Sequence, residues 1–207
     1  MTTDTTDMPF AVIIDDLATQ GWSLLPGFAS QTLTAELAQE CRARVKNGAL
    51  SPARVGRGAG QEIREAIRGD QIEWLEPGQS APTDAYLQLI DGLRIALNQQ
   101  LFLGLDSYES HFAFYPAGAF YKKHLDRFRD DDRRTVSVVL YLNEQWQDDF
   151  GGELRLYLPD GETRDVRPEA GSLVVFMSAD MPHEVLPATR ERLSLAGWFR
   201  RRGADTF

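Results

Sequence analysis

Thr135-Val136-Ser137-Val138-Val139-Leu140-Tyr141-Leu142-Asn143 decides the fold class. A strand with one wet face alternates apolar and polar residues, but this run is apolar on nearly both sides. It predicts a central strand covered on both faces. Upstream, three segments with helical spacing can cover one face. Phe10, Ile13, Ile14 and Leu17 make the first stripe, with Gly21 as its stop. After a short apolar strand, Trp22–Leu25, and the Pro26–Gly27 turn, Ser30 can cap a helix striped by Leu33, Leu37, Cys41 and Val45. Thr83 or Asp84 opens a third helix with Ile90, Leu93, Leu97 and Leu101 on one side. Residues 48–62, rich in Gly, Ala and Arg, read as a long loop.

From about residue 108 the period changes to extended. His111–Tyr115, Glu153–Leu158, Gly171–Phe176 and Arg192–Phe199 join Thr135–Asn143 as strands, punctuated by turns such as Pro159–Asp160–Gly161. Helices first and strands later predict an α+β chain, a β-sandwich or open barrel with helices packed on one sheet.

Composition narrows the function. The chain has 207 residues, which suits one domain. A formal charge of −9 argues against broad phosphate-backbone binding, so no nucleic-acid partner is expected. Met1–Thr2–Thr3–Asp4 carries no basic or apolar leader, and no apolar run reaches membrane-span length. The single cysteine, Cys41, permits no internal disulfide and no thiolate zinc site. The expectation is a reduced cytoplasmic protein with Cys41 in the core.

Chemistry concentrates around His124–Leu125–Asp126. Two residues apart on an extended strand, His124 and Asp126 share a face. His183, from a later strand, would complete a set of two imidazoles and one carboxylate with positions left open, which suits a non-haem Fe(II) oxygenase. On the last strand, period two puts Arg192, Ser194, Ala196 and Trp198 on one face and Leu193, Leu195, Gly197 and Phe199 on the other. An inward Arg192 needs an anion, and its fork suits the carboxylate of a dicarboxylate cosubstrate. Tyr141 could donate a hydroxyl to the same carboxylate. Tyr115 and Tyr121 flank the approach to His124. His111 shares a face with Ala113 and Tyr115 and reads as a core or lining histidine, not a fourth ligand. The charge runs Lys122–Lys123, Asp130–Asp132 and Arg200–Arg202 read as solvated.

Beyond these residues, the chain resembles the 2-oxoglutarate- and Fe(II)-dependent prolyl hydroxylases, in the branch of the animal hypoxia-inducible-factor prolyl hydroxylases and their bacterial relatives. The resemblance runs from about Ile67 to Phe199. Its most specific piece is Ile67-Arg68-Gly69-Asp70-Gln71-Ile72-Glu73-Trp74-Leu75. It continues through Tyr115–Pro116, Tyr121 to Asp126, Tyr141-Leu142-Asn143 with Trp146, and Gly151-Gly152-Glu153-Leu154-Arg155. Pro182-His183-Glu184-Val185, Arg192 and Trp198 close it. It implies a double-stranded β-helix (jelly-roll) core over about 108–203, supported by helices and a substrate loop over about 1–107. It implies iron on His124, Asp126 and His183, 2-oxoglutarate on Arg192 and Tyr141 with Tyr115 nearby, dioxygen as co-reactant and ascorbate as accessory reductant. Tyr121 and Trp198 would lie near the substrate proline, with Arg134 beside the site. Arg54, Arg57 and the stretch to Gly60 fall where the family has a mobile loop over its protein substrate, although the loop sequence differs from the animal enzymes.

The expected reaction is hydroxylation of a prolyl residue in a protein, with release of succinate and CO2. For bacterial relatives the implied target is a switch loop of translation elongation factor Tu. Two alternatives remain: the same chemistry on a small molecule or another side chain, and a non-catalytic metal- and 2-oxoglutarate-dependent sensor.

Overall fold

The computed structural model describes residues 8–54, 62–64, 66–127 and 131–203. Helix α1 spans Met8–Gln20 and closes at Gly21, whose φ of +79° suits glycine and whose N–H donates to the Leu17 carbonyl. Strand β1 is Trp22–Leu25. Helix α2, Gln31–Lys46, starts on Ser30, whose hydroxyl accepts from the Leu33 N–H. Strands β2 (Ser51–Pro52) and β3 (Gln71–Trp74) precede α3, Ala81–Leu101. The α3 cap is Ser80, upstream of the expected Thr83 or Asp84. Its hydroxyl accepts from the Thr83 N–H at 3.1 Å, and the helix tolerates Pro82 in its first turn.

The strands follow: β4 (Leu105–Tyr115), β5 (Tyr121–His124), β6 (Arg134–Tyr141), β7 (Leu154–Tyr157), β8 (Thr163–Val166), β9 (Leu173–Met177), β10 (His183–Val185) and β11 (Arg192–Arg201). They form two antiparallel sheets. The larger has the order β1-β9-β6-β11-β4-β3-β2 and the smaller β5-β10-β7-β8.

Strand alternation divides the core in two. Val136, Val138 and Leu140 of β6, with Leu193, Leu195 and Phe199 of β11, face the helices and pack with Leu37, Tyr86, Ile90, Leu93 and Leu97. The opposite face presents Ala113, Tyr115, Tyr141, Val174 and Phe176 to Leu154, Leu156 and Val185 of the smaller sheet. Burying each large apolar side chain contributes about 1.5–3 kcal/mol, so both faces of β6 are apolar because both are covered. Cys41 is fully buried on the inner face of α2, and burial pushes its thiol pKa up to about 12.

Several elements depart from expectation. Strand β4 begins at Leu105, not His111, because β11 pairs with it along its whole length and stabilises a polar first half. The short strands β2, β3, β8 and β10 carry too few apolar residues to show a period. Lys122 and Lys123 lie on β5, and the Lys123 ammonium sits 3.5 Å from the centre of the Tyr157 ring. Arg200 is not simply solvated, since it pairs with Glu109 at 2.9 Å. Beyond β6, Asn143 replaces ladder bonds with its side chain, accepting from the Leu193 N–H and donating to the Pro168 and Leu193 carbonyls.

Candidate active site

His124, Asp126 and His183 come together between the sheets, with one ligand atom of each within 4.8 Å of the others. The pairing of β5 with β10 sets His124 opposite His183. Asp126 is placed differently from expectation. Strand β5 ends at His124, and Asp126 lies in the bend that follows, while Leu125 between them turns outward and is 45% exposed. The carboxylate spans the two imidazoles, with Oδ1 3.5 Å from His124 Nε2 and Oδ2 3.6 Å from His183 Nε2. Each histidine Nδ1 faces a backbone carbonyl, Lys122 at 2.8 Å and Met181 at 3.0 Å. Those acceptors favour the tautomer with the proton on Nδ1 and leave both Nε2 lone pairs for a cation. Burial lowers the His183 pKa to about 4 and so keeps the ring neutral. Burial alone would raise the Asp126 pKa, but the imidazoles facing it hold its carboxyl well below the usual carboxylate range. Two imidazoles and one carboxylate form a donor set suited to a divalent iron-type cation.

The same cavity, about 720 Å³, reaches Arg192. That residue is 2% exposed, and no carboxylate lies within ion-pair distance of it among the described residues. Its Nε donates to the Gly152 carbonyl at 2.9 Å and its Nη1 to Ser194 Oγ at 3.3 Å. Gly152 has φ +76°, and a Cβ there would sit 2.9 Å from that of Ala188, so only glycine brings its carbonyl this close. The Tyr141 ring centre is 5.2 Å from the Arg192 guanidinium carbon, and its buried hydroxyl has no partner among the described residues. Burial pushes the Tyr141 pKa up to about 12, so the phenol stays a donor. Tyr115 lines the cavity 5.1 Å from the same guanidinium. A buried cation without an anion, beside an unused hydroxyl, fits the far carboxylate of 2-oxoglutarate.

Nearer the mouth, Tyr121 stacks on His124 at 3.6 Å between ring centres. Arg68 lies over the Tyr121 ring at 4.3 Å and forks onto Asp70 at 2.7 and 2.5 Å. Arg134 covers the Trp198 ring at 3.6 Å and pairs with Glu109. Arg54 lines the rim, and its carbonyl accepts from Arg68, whereas Arg57 lies outside the described residues. Arg68 and Asp70 were visible only as letters of the Ile67–Leu75 segment. Trp74, 45% exposed and lining the cavity, was equally unassigned. Ser137 and Ser178, which hydrogen-bond behind Asp126, gave no signal at all.

His111 does line the cavity, between Trp74 at 5.1 Å and Trp198 at 5.6 Å. Burial lowers its pKa from 6.5 to about 4. The unfolded chain therefore takes up a proton that the folded ring refuses, and stability falls as pH drops from about 6.5 toward 4, by at most about 3 kcal/mol for this group. Urea unfolding of the metal-free protein at pH 7 and pH 5 should show this loss. His111→Leu should reduce the pH dependence and leave the similar share of His183. An unchanged dependence would mean that His111 is not held neutral.

The sequence model of the 2OG-Fe(II) oxygenase superfamily matches residues 110–200. Human prolyl hydroxylase EGLN3 is 31% identical over 169 residues, which cover 77% of this chain and 67% of that protein. A crystal structure of a Pseudomonas putida prolyl-4-hydroxylase matches with TM-score 0.87 and 59% identity, over 94% of this chain and 100% of that one. A Trichoplax adhaerens prolyl hydroxylase, solved with a hypoxia inducible factor oxygen degradation domain peptide, matches with TM-score 0.85 and 27% identity, over 96% of this chain and 94% of that one. With its helices packed on one sheet of a jelly-roll core, this chain belongs to the 2-oxoglutarate- and Fe(II)-dependent prolyl hydroxylases, dioxygenases that use Fe(II), 2-oxoglutarate and dioxygen.

Proposed function

We propose that this protein hydroxylates a prolyl residue within a protein substrate, and that its target is a switch-loop proline of translation elongation factor Tu. In this reading His124, Asp126 and His183 hold Fe(II), and Arg192 with Tyr141 holds the far carboxylate of 2-oxoglutarate. The observation that carries the reading is Arg192, buried in the same cavity as the three ligand side chains with no carboxylate within ion-pair distance among the described residues. Bound iron and 2-oxoglutarate supply oxidative decarboxylation of the cosubstrate, giving succinate and CO2 and placing one oxygen atom of dioxygen in a C–H bond.

The chain's own residues orient these reactants. Gly152 and Ser194 hold the guanidinium fork in place, so it binds the cosubstrate with little reorganisation. Tyr115 lines the cavity beside Arg192. Tyr121 and Trp198 line the cavity beside the ligand set and would bound the position of a pyrrolidine ring, with Arg134, braced by Glu109, packed over the Trp198 ring. Arg54 contacts the polypeptide at the rim, and Arg57 is proposed for the same role. Exposed Trp74 and Leu125 also line this cavity, an arrangement that suits an extended peptide better than a small molecule sealed inside. The identity of the target protein rests on the family resemblance.

The test is direct. Purified protein with Fe(II), 2-oxoglutarate, ascorbate and air is added to extract from cells lacking it, and the proteome is searched for new hydroxyproline. A new hydroxyproline in elongation factor Tu, absent without 2-oxoglutarate and with Asp126→Ala, is the expected result. Hydroxyproline in a different protein would replace the target. Succinate without any modified protein would favour a small-molecule substrate, and bound metal without succinate would favour a sensor.

A further inference from the structure

We infer that Ser137 and Ser178 form a two-hydroxyl relay that positions Asp126. The inference rests on the proposed assignment of Asp126 as a ligand. Both serines are fully buried. Ser137 Oγ lies 2.7 Å from Asp126 Oδ2, and Ser178 Oγ lies 2.8 Å from Ser137 Oγ.

The direction of the relay follows from proton counting. An ionised carboxylate only accepts, so the single hydroxyl proton of Ser137 goes to Asp126. Ser137 is then left with lone pairs toward Ser178, and the Ser178 proton must fill that contact. Each bond polarises the next, which strengthens the donor that reaches Asp126.

Asp126 needs such support because it has left the sheet. Strand β5 stops at His124, so no ladder bond holds the bend at Asp126. Ser137, in contrast, lies in β6, paired on one side with Trp198 of β11 and on the other with Phe176 of β9. Ser178 follows β9 directly, and its N–H donates to the Thr135 carbonyl at 3.1 Å. Its carbonyl accepts from the Arg127 N–H at 3.3 Å, so the residue that feeds the relay also ties down the backbone of the bend. The relay thus transfers the rigidity of the central sheet to a carboxylate on a turn.

It also makes the two carboxylate oxygens unlike. Oδ2 already accepts a hydrogen bond, whereas Oδ1 receives none from a serine and faces His124.

The test measures metal binding apart from turnover. Wild-type, Ser137→Ala, Ser137→Thr, Ser178→Ala and Asp126→Ala proteins are titrated anaerobically with Fe(II) in the presence of 2-oxoglutarate. The visible charge-transfer absorption of the complex is recorded, with the melting temperature of the metal-free protein alongside. Ser137→Ala should weaken metal binding about 10- to 100-fold and shift the absorption, as expected for loss of a group supporting a ligand. Ser137→Thr, which keeps the hydroxyl, should restore both, and Ser178→Ala should fall between. A merely structural role would lower the melting temperature and leave the metal affinity of the folded protein unchanged. Wild-type affinity and absorption in Ser137→Ala would therefore overturn the inference. Should that variant not fold, wild-type affinity in Ser178→Ala would overturn the relay by itself. Unchanged affinity in Asp126→Ala would instead remove the ligand assignment beneath it.

Discussion

Asp126→Ala is expected to bring hydroxylation and uncoupled 2-oxoglutarate decay below detection and to leave a folded protein that no longer retains iron. Losing a group that only supports a ligand costs about 10- to 100-fold in metal affinity, and losing a ligand should exceed that. The fold should survive because the side chain lies on a bend at the sandwich's edge and not within a ladder. Ser137 loses its acceptor, at about 1–3 kcal/mol, but it keeps Ser178 as a hydrogen-bond partner. The checks are metal analysis after dialysis, circular dichroism and succinate release. Normal activity in the purified variant would sink the metal assignment.

Arg192→Met is expected to raise the 2-oxoglutarate requirement roughly 10- to 150-fold, from loss of a charge-assisted contact worth about 1.5–3 kcal/mol. Methionine retains the apolar stem, so packing between Tyr115 and Tyr141 is largely kept. The variant has a second signature. In wild type without cosubstrate, the buried guanidinium has no carboxylate partner among the described residues, which costs stability. Metal-free Arg192→Met should therefore melt at or above the wild-type temperature, while the stabilisation that wild type gains from added 2-oxoglutarate is lost. An unchanged 2-oxoglutarate requirement would mean that another residue holds the carboxylate.

Much of this architecture could be read in one dimension. The double-sided apolar run Thr135–Asn143 called for cover on both faces, and α1, α2 and α3 provide it on one and the smaller sheet on the other. Alternation along β11 placed Arg192 and Trp198 inward and Leu193, Leu195 and Phe199 outward, and the two core clusters divide that way. Residue type supplied the donor set, because two imidazoles and a carboxylate are chemically distinctive wherever they meet. The weak readings were short or charged. Strand β5 holds two lysines, and β10 has three residues, fewer than a period needs.

The sequence by itself therefore determined the faces of the long elements, the residue types of the candidate ligand set and the inward place of Arg192. Each of these follows from residue type and a local period of two or 3.6. Only the tertiary structure decided which residues meet: His183 opposite His124, Arg68 over Tyr121, and Ser178 behind Ser137 and Asp126. It also moved Asp126 off the strand into a bend. Periodicity records which face of an element is buried, not what stands opposite. Ser137 and Ser178 are 41 positions apart, and antiparallel pairing of β6 with β9 is what brings them within hydrogen-bond distance.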